Sequence, residues 1–373
     1  MTIRVVPVNT GQSPVAAPTS WTTETLIGET SDTEVWPSSL RVAPAAATTL
    51  RARPTQVAIA DTDVTWLPAF HSADDILAHP RFPAARAEFV KAMLALYEHK
   101  PFLNRLLLEA GRTVLFNVIM CLHARYDEAD RATWPTLRLV ADVMAAHRLA
   151  GPKRVQALVA RLVTTGYLEQ RAAARDRRVR ILTPTRKMIA QDQDFLVSHH
   201  LPLQTLFPKP GYAPIMRRDP VFQLKQRRAA RDLFALGARM LAGNPAMMLF
   251  QSRDAGIMIL IKMIQMAGQK RSAGPLGISY SDLGSRFGVS RTHVRNLLVA
   301  AQAMDLVRLT KADGQCVDLK AAVLQAFDRL VADAMSSFDL CYRLALCAHG
   351  SRSRPASAAR IREECVIRHI AAA

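Results

Sequence analysis

Apolar residues recur at helical spacing in the middle of this chain. Val155, Leu158, Val159 and Leu162 follow one another at steps of three, one and three, and this spacing places them on one face of a helix. The positions between them are mostly polar or basic. The pattern therefore predicts an amphipathic helix over residues 152–165.

The same pattern occurs a second time, 139 residues further along the chain. Val294, Leu297, Leu298 and Ala301 repeat the steps of three, one and three. A core face that recurs with the same spacing indicates an internal repeat more strongly than either pattern does alone. The second pattern predicts another amphipathic helix, and Ser290 just before it is a residue type that caps helix N-termini.

Both helices have the same neighbouring elements in the sequence. A shorter helix is predicted before each, and two short strands are predicted after each, at residues 136–146, 167–170 and 179–182 for the first unit and 281–287, 306–309 and 316–319 for the second. Gly166 occupies the position of a left-handed helix cap, and Asp313-Gly314 is a favoured hairpin turn. Helix, turn, helix and hairpin is the order of elements in a winged helix.

The predicted fold class is mainly α with small β-hairpin wings, as tandem winged helix-turn-helix domains plus flanking helices. The flanking helices are predicted over residues 86–99, 102–126, 187–200, 221–241, 255–269 and 322–346. We expect four segments: a disordered or loosely attached Pro- and Thr-rich arm at 1–65, a first winged-helix domain with leading helices at 66–205, a basic linker and helix at 206–245, and a second winged-helix domain with a C-terminal helix at 246–373.

Composition narrows the class of protein. Lys and Arg number 49 against 31 Asp and Glu, a formal net charge of +18, which favours a polyanionic partner. No apolar run reaches the length of a membrane span and no signal peptide is visible, so we expect a cytoplasmic protein without a membrane partner. Five scattered cysteines without a Cys-x-x-Cys pair argue against a disulfide framework or a metal site. No catalytic or nucleotide-binding motif occurs, so neither an enzyme nor a cofactor is expected.

Much of the positive charge coincides with the first unit. Residues 151–187 contain ten basic and two acidic side chains, a net charge of +8. Basic and amide side chains on the outer face of a recognition helix bond guanine and adenine in the major groove. Hydroxyls at a helix N-terminus hold phosphate instead. The outer-face candidates for DNA contact are Lys153, Arg154, Gln156 and Arg161 in the first unit and Ser290, Arg291, Thr292, Arg295 and Asn296 in the second.

Residues 151–169, with Asp176-Arg177-Arg178-Val179 after them, resemble transcription regulators of the multiple-antibiotic-resistance (MarR) type. In that family a recognition helix ends in Gly, and an Asp-x-Arg motif lies in the wing. The resemblance implies that Asp176 orients a wing arginine and that Arg177 or Arg178 reaches the minor groove. Arg175 is a further basic candidate for DNA contact in the same turn. The family has Leu-Thr-x-x-Gly after the wing, whereas this chain has Leu182-Thr-Pro-Thr-Arg186. The second unit, residues 287–298, looks like a bacterial helix-turn-helix.

These features predict a sequence-specific regulator of transcription in bacteria, bound to double-stranded DNA and associated with the nucleoid. A replication initiator with tandem winged helices and a winged-helix protein-interaction module are the alternatives. The long helices before the first unit and after the second would either form a homodimer or pack within their own domain. The resemblance implies a small-molecule effector, but no residue identifies one.

Overall fold

The computed structural model describes residues 68–146, 149–233, 242–270, 274–310 and 316–347. The predicted N-terminal arm and the Asp313-Gly314 turn lie outside these ranges. Within them the chain is mainly helical with two small antiparallel sheets. The predicted fold class, mainly α with small β wings, is therefore confirmed.

The part of the chain that contains the first predicted unit consists of helices followed by a hairpin. Its elements are α1 (Ala73–Ala78), α2 (Phe82–Tyr97), α3 (Pro101–Leu107), α4 (Ala110–Arg125), α5 (Leu137–Ala146), α6 (Pro152–Thr164), β1 (Leu168–Ala172) and β2 (Arg180–Pro184). A short 3-10 helix, Arg131–Thr133, precedes α5.

The second part repeats this order after a helical connection. Its elements are α7 (Arg186–Leu206), α8 (Ala213–Met216), α9 (Pro220–Ala230), α10 (Pro245–Gln251), α11 (Gly256–Gln269), β3 (Leu276–Gly277), α12 (Tyr280–Phe287), α13 (Arg291–Ala303), β4 (Val307–Leu309), β5 (Cys316–Leu319) and α14 (Ala321–Cys347). A 3-10 helix, Arg231–Leu233, follows α9.

The prediction of one long helix over residues 102–126 is wrong, because α3 and α4 meet there at an angle of 79°. The Leu108 carbonyl accepts a hydrogen bond from the Ala255 amide at 2.7 Å, so it is turned away from the helix. Glu109 is extended, and its carboxylate caps α4 by accepting from the Gly111 and Arg112 amides at 3.0 and 3.3 Å. An acid at this position also complements the positive end of the helix dipole.

Other boundaries also differ from the prediction. The basic helix predicted over 221–241 ends as α9 at Ala230, and residues 234–241 are outside the described ranges. The helix predicted over 187–200 continues to Leu206 as α7, with Pro202 inside it. Leu276 and Gly277, predicted as loop, form β3 instead, and Leu276 is aligned with Val317 of β5.

Each half of the chain has the element order of a winged helix. The second runs α11, β3, α12, α13, β4, β5, and its sheet has the order β3-β5-β4. The first runs α4, α5, α6, β1, β2, and Leu168 of β1 is aligned with Pro184 of β2. The Leu182 amide of β2 donates to the Pro135 carbonyl at 2.8 Å. Pro135 therefore lies beside β2, on the side where β3 pairs in the second sheet.

One contiguous apolar cluster extends from α1 to α14 and includes the buried faces of both units. Helix α2 contributes to it between α7, α11 and α14. Phe287 of α12 and Phe327 of α14 are fully buried in it. Burial of this extent is the main force that holds helices together, so the two units share a core.

A polar network is buried between α7, α9 and α14. Asp192 forms an ion pair with Arg227, and both side chains are almost fully buried. His200 is also fully buried, with Nδ1 2.8 Å from the Leu196 carbonyl and Nε2 3.1 Å from Gln226 Nε2. The Gln226 Oε1 atom, by contrast, is buried without a hydrogen-bond partner among the described residues, which the low dielectric of a core makes costly.

Among the described residues, no single helix is both long and apolar enough to cross a membrane.

Candidate nucleic-acid interface

Helix α6 presents a polar face to solvent. Val155, Val159 and Leu162 are buried against the core, and Leu158 is half-buried. The apolar stripe fixes the rotation of the helix and turns the opposite side outward. The predicted DNA-contacting residues of this helix are all exposed: Lys153, Arg154, Gln156 and Arg161.

Arg154 is held in place by an acid from another helix. Its Nη2 lies 2.8 Å from Glu109 Oε2. Only 10% of the Glu109 side chain is exposed, whereas 43% of Arg154 is. A guanidinium has five N–H donors, and this bond engages one of them. Arg154 is thus oriented by the start of α4 and still faces solvent.

The wing of the first unit is the loop between β1 and β2. Arg175, Arg177 and Arg178 are exposed on it. Asp176 accepts from the Arg178 backbone amide at 3.2 Å and lies 3.3 Å from the Arg131 guanidinium. The arginine side chain that Asp176 contacts is therefore Arg131, where the resemblance implied one from the wing. Asp176 shapes the loop through its backbone.

The exit from this wing is built without the glycine of the MarR-type pattern. Thr185 caps α7 by accepting from the Met188 amide at 3.4 Å. Its hydroxyl donates to the Gly166 carbonyl at 2.8 Å. The hydroxyl thus joins the end of the α6 region to the start of α7, and strand β2 continues directly into that helix.

Helix α13 presents the corresponding surface of the second unit. Val294, Leu297, Leu298 and Ala301 are buried. Ser290 caps the helix as predicted, because its side chain accepts from the His293 amide at 3.0 Å. The Ser290 hydroxyl can still donate its own proton to a phosphate. The predicted contact residues are all exposed: Ser290, Arg291, Thr292, Arg295 and Asn296.

The two helices end in the same way at the offset of 139 residues. The Gly166 amide donates to the Val163 carbonyl, and the Tyr167 amide donates to the Leu162 carbonyl. In the second unit Asp305 donates to Gln302, and Leu306 donates to Ala301. Gly166 and Asp305 both have positive φ, +73° and +59°. The repeat seen in the apolar pattern therefore extends to the backbone geometry of the cap.

A chain of charged and polar contacts connects the two helices. Arg112 Nη2 lies 2.9 Å from Asp254 Oδ1, and Arg112 Nε lies 3.7 Å from Glu109 Oε2. Glu109 in turn holds Arg154 of α6. His293 of α13 donates from Nε2 to the Asp254 carbonyl at 2.9 Å. The path from α6 to α13 is thus continuous.

Three further contacts fix α12 to the helices that lead the first unit, two of them through Arg286 and one through Arg105. Arg286 lies 2.8 Å from Glu98, which is also 2.9 Å from Lys262. The His99 amide donates to the Arg286 carbonyl at 3.0 Å. These contacts join parts of the chain far apart in sequence, so the two units are held in one frame.

Arg105 makes the third contact, because its Nε donates to the Gly288 carbonyl at 2.9 Å. Sequence reasoning missed this residue together with Glu98, Glu109, Arg112 and Asp254. Their roles depend on tertiary neighbours, and the only local signal was an acid placed before a helix at Glu109.

In the described part of the chain, no three His, Cys, Asp or Glu side chains are grouped to hold a metal ion. Burial raises the pKa of Cys121 to about 12, so this thiol is protonated at neutral pH.

A cavity of about 10 Å³ between α3, α4 and α7 has room for a single water. The buried Asn117 Oδ1 and Gln191 Nε2 lie at this cavity.

Comparison with known proteins gives no match to a family model, to a curated protein or to a solved structure.

Proposed function

We propose that this protein binds double-stranded DNA in a sequence-specific manner through α6 and α13, and acts as a cytoplasmic, nucleoid-associated regulator of transcription. Each helix lies in the major groove, and basic side chains of its unit contact the backbone on either side. The resemblance to MarR-type regulators supports the regulatory role. The net charge of +18 supports the polyanionic partner.

The observation that carries the proposal is that two helices, held at a fixed separation, each expose a polar face. Helices α6 and α13 both bury an apolar stripe and expose basic and amide side chains. A hairpin follows each of them. Arg112 and Asp254 lie on the path of contacts between them. Two such faces at fixed separation suit two segments of one duplex.

The fixed frame also favours a second candidate, a replication initiator that binds repeated sites. One chain with two coupled units would read a whole repeat without a partner chain. Mapping of bound sites in the genome separates the two candidates. Sites that overlap promoters support regulation, and arrays of repeats near an origin support initiation. A protein-interaction module would show neither.

The test of DNA binding is a mobility-shift titration of the full chain with random-sequence duplex at 50 and 200 mM salt, followed by selection from a random 30-base-pair pool. We expect binding at low salt that weakens by about a thousandfold or more at the higher salt if six or more phosphates are contacted. We expect the selection to yield one enriched motif. Failure to bind at low salt would contradict the proposal, as would a pool without enrichment.

A further inference from the structure

A group of charged residues lies between α6 and α13, and we call it the seam. Arg112 of α4 is at its centre, where its Nη1 donates to the Arg105 carbonyl at 2.8 Å and its Nη2 contacts Asp254. The seam consists of Arg105, Glu109, Arg112, Arg161 and Asp254.

Arg161 belongs to the seam through its place on α6. It follows Arg154 by seven residues, about two helical turns, so both side chains lie on the same flank of the helix. Arg154 contacts Glu109 on that flank. His293 of α13 reaches the seam from the other side, through the Asp254 carbonyl. The seam is therefore bordered by one recognition helix on each side.

Cations outnumber acids in this region. Glu109 is shared by Arg154 and Arg112, and Asp254 pairs with Arg112. Arg105 Nε is bonded to a neutral carbonyl, that of Gly288. Arg105 and Arg161 are both exposed. Arg105 and Arg161 are thus the two cationic side chains of this group that are not paired with Glu109 or Asp254.

The electrostatic surroundings of Arg161 reflect this excess. Partial burial lowers its pKa first, and the positive charges of Arg112 and Arg105 lower it further against the opposing effect of Asp254. A guanidinium stays charged in proteins, so the consequence is repulsion among the arginines. An anion placed between Arg105 and Arg161 would relieve it.

We propose that Arg105 and Arg161 bind the phosphodiester backbone of the DNA segment that lies between the two sites read by α6 and α13. This inference rests on the proposed function. Two adjacent major-groove segments on one face of a duplex are separated by backbone, which passes over whatever joins the recognition helices. Guanidinium groups match phosphate oxygens with two parallel hydrogen bonds. Arg112 is the positioning residue, because its guanidinium donates to the Arg105 carbonyl, contacts Asp254 and faces Glu109.

The first experiment measures the salt dependence of binding to the wild-type protein's selected duplex for Arg105→Gln, Arg161→Gln and the double variant. Arg81→Gln is the matched control, because Arg81 is exposed at the N-terminal end of α2. That end is roughly 24 Å along the helix from Glu98, which contacts the second unit. We expect the slope of log K against log salt to fall by about 0.9 for each seam arginine removed and by about 1.8 for both. The control should keep the wild-type slope.

The second experiment locates the contact on the DNA. Single methylphosphonate substitutions are placed at each linkage between the two protected segments of the selected duplex. Wild-type protein should lose affinity at one or two of these linkages, whereas Arg161→Gln should be insensitive there. Sequence preference should stay unchanged in both seam variants. Arg161→Gln leaves the Arg105–Gly288 bond in place and decides the test if Arg105→Gln is unfolded by circular dichroism.

Three results would overturn the inference while leaving DNA binding intact. One is a wild-type slope in Arg161→Gln, and another is an equal loss in Arg81→Gln. The third is relaxed preference at one base pair in Arg161→Gln, which would place this arginine on a base edge. Absence of duplex binding by the wild-type protein would instead remove the proposed function and the inference together.

Discussion

Arg112 of the first unit and Asp254 of the second form an ion pair, with Nη2 2.9 Å from Oδ1. Only 18% of the Arg112 side chain is exposed. The pair joins the first turn of α4 to the turn before α11, and these are the leading helices of the two winged units. It lies on the path from Arg154 to His293. The separation of α6 and α13 therefore depends on this contact and on the shared core.

Replacement of Arg112 should weaken the contact between the two units at Arg112 and Asp254. Arg112→Met leaves Asp254 without its ion-pair partner, whereas Glu109 keeps Arg154. Because 48% of the Asp254 side chain is exposed, we expect the free energy of unfolding to fall by only about 1 kcal/mol. Asp254→Asn combined with Arg112→Met should recover part of that loss, since the unpaired charge of Asp254 is removed. Urea denaturation of the two single variants and the double variant measures the coupling. If the losses in the two single variants simply add in the double variant, the ion pair contributes nothing to the contact between the units.

Two glycines allow the contact between the units to be tested separately from backbone strain. Gly288 and Gly166 have nearly the same φ, +76° and +73°. A Cβ at Gly288 would lie 2.8 Å from Pro101 Cβ, whereas a Cβ at Gly166 would meet nothing within 4 Å. Gly166→Ala should therefore cost about 1 kcal/mol through strain alone. Gly288→Ala should cost a further 1–3 kcal/mol or so, because Pro101 of the first unit has to move.

Thermal denaturation of both alanine variants provides the comparison. Gly288→Ala should also reduce affinity for the selected duplex, since it displaces α12 from α3. Equal melting temperatures for the two variants would contradict a tight contact at Pro101.

Side chains on α13 should determine sequence preference, and those on the wing should not. Arg295→Ala or Asn296→Ala should relax preference at one base pair by about 1–3 kcal/mol. Arg178→Ala should weaken binding to all duplexes and reduce the salt slope by about 0.9. Competition binding with single-base variants of the selected site separates these effects. Equal and sequence-blind losses from all three substitutions would refute the assigned roles.

Stability should fall as the pH is lowered below neutrality. Burial lowers the pKa of His199 to about 3 and that of His200 to about 4, against 6.5 in the unfolded chain. Between these pKa values the folded state binds fewer protons than the unfolded state. The stability that the neutral histidines contribute is therefore fully present above about pH 6.5 and is lost as the pH falls toward 4. A proton on His200 Nε2 would also face the amide nitrogen of Gln226, which is itself a donor.

Urea titrations at pH 7, 6 and 5 measure this dependence. Each buried histidine should contribute a slope of up to about 1.4 kcal/mol per pH unit, and His200→Gln should reduce the total slope. His99→Asn is the control, because 68% of the His99 side chain is exposed and Asn tolerates its positive φ. A slope that His200→Gln leaves unchanged would refute this explanation.

The sequence predicted the parts of the fold that local patterns specify. Apolar spacing located α6 and α13, and residue preferences located the Ser290 cap and the left-handed Gly166. The break between α3 and α4 was not visible, since it depends on the amide of Ala255. Contacts of this kind join positions far apart in the chain, and no local spacing encodes them.

The candidate interface was predictable to the same extent. When the apolar positions of each predicted helix are set aside, the remaining positions include exposed residues such as Lys153 and Arg295, because burial follows the helical period. The same procedure could not identify Arg105 or Arg112, which lie outside both α6 and α13. It also could not show that Asp176 would contact Arg131, since the partner of a surface acid is set by the folded chain.

The most direct measurement is the affinity of the wild-type protein for its selected duplex before and after insertion of five base pairs between the two protected segments. Such an insertion turns one segment to the opposite side of the duplex, because a turn takes about 10 base pairs. If α6 and α13 read one duplex as a fixed pair, affinity should fall to the level of random DNA. Unchanged affinity after the insertion would contradict the account.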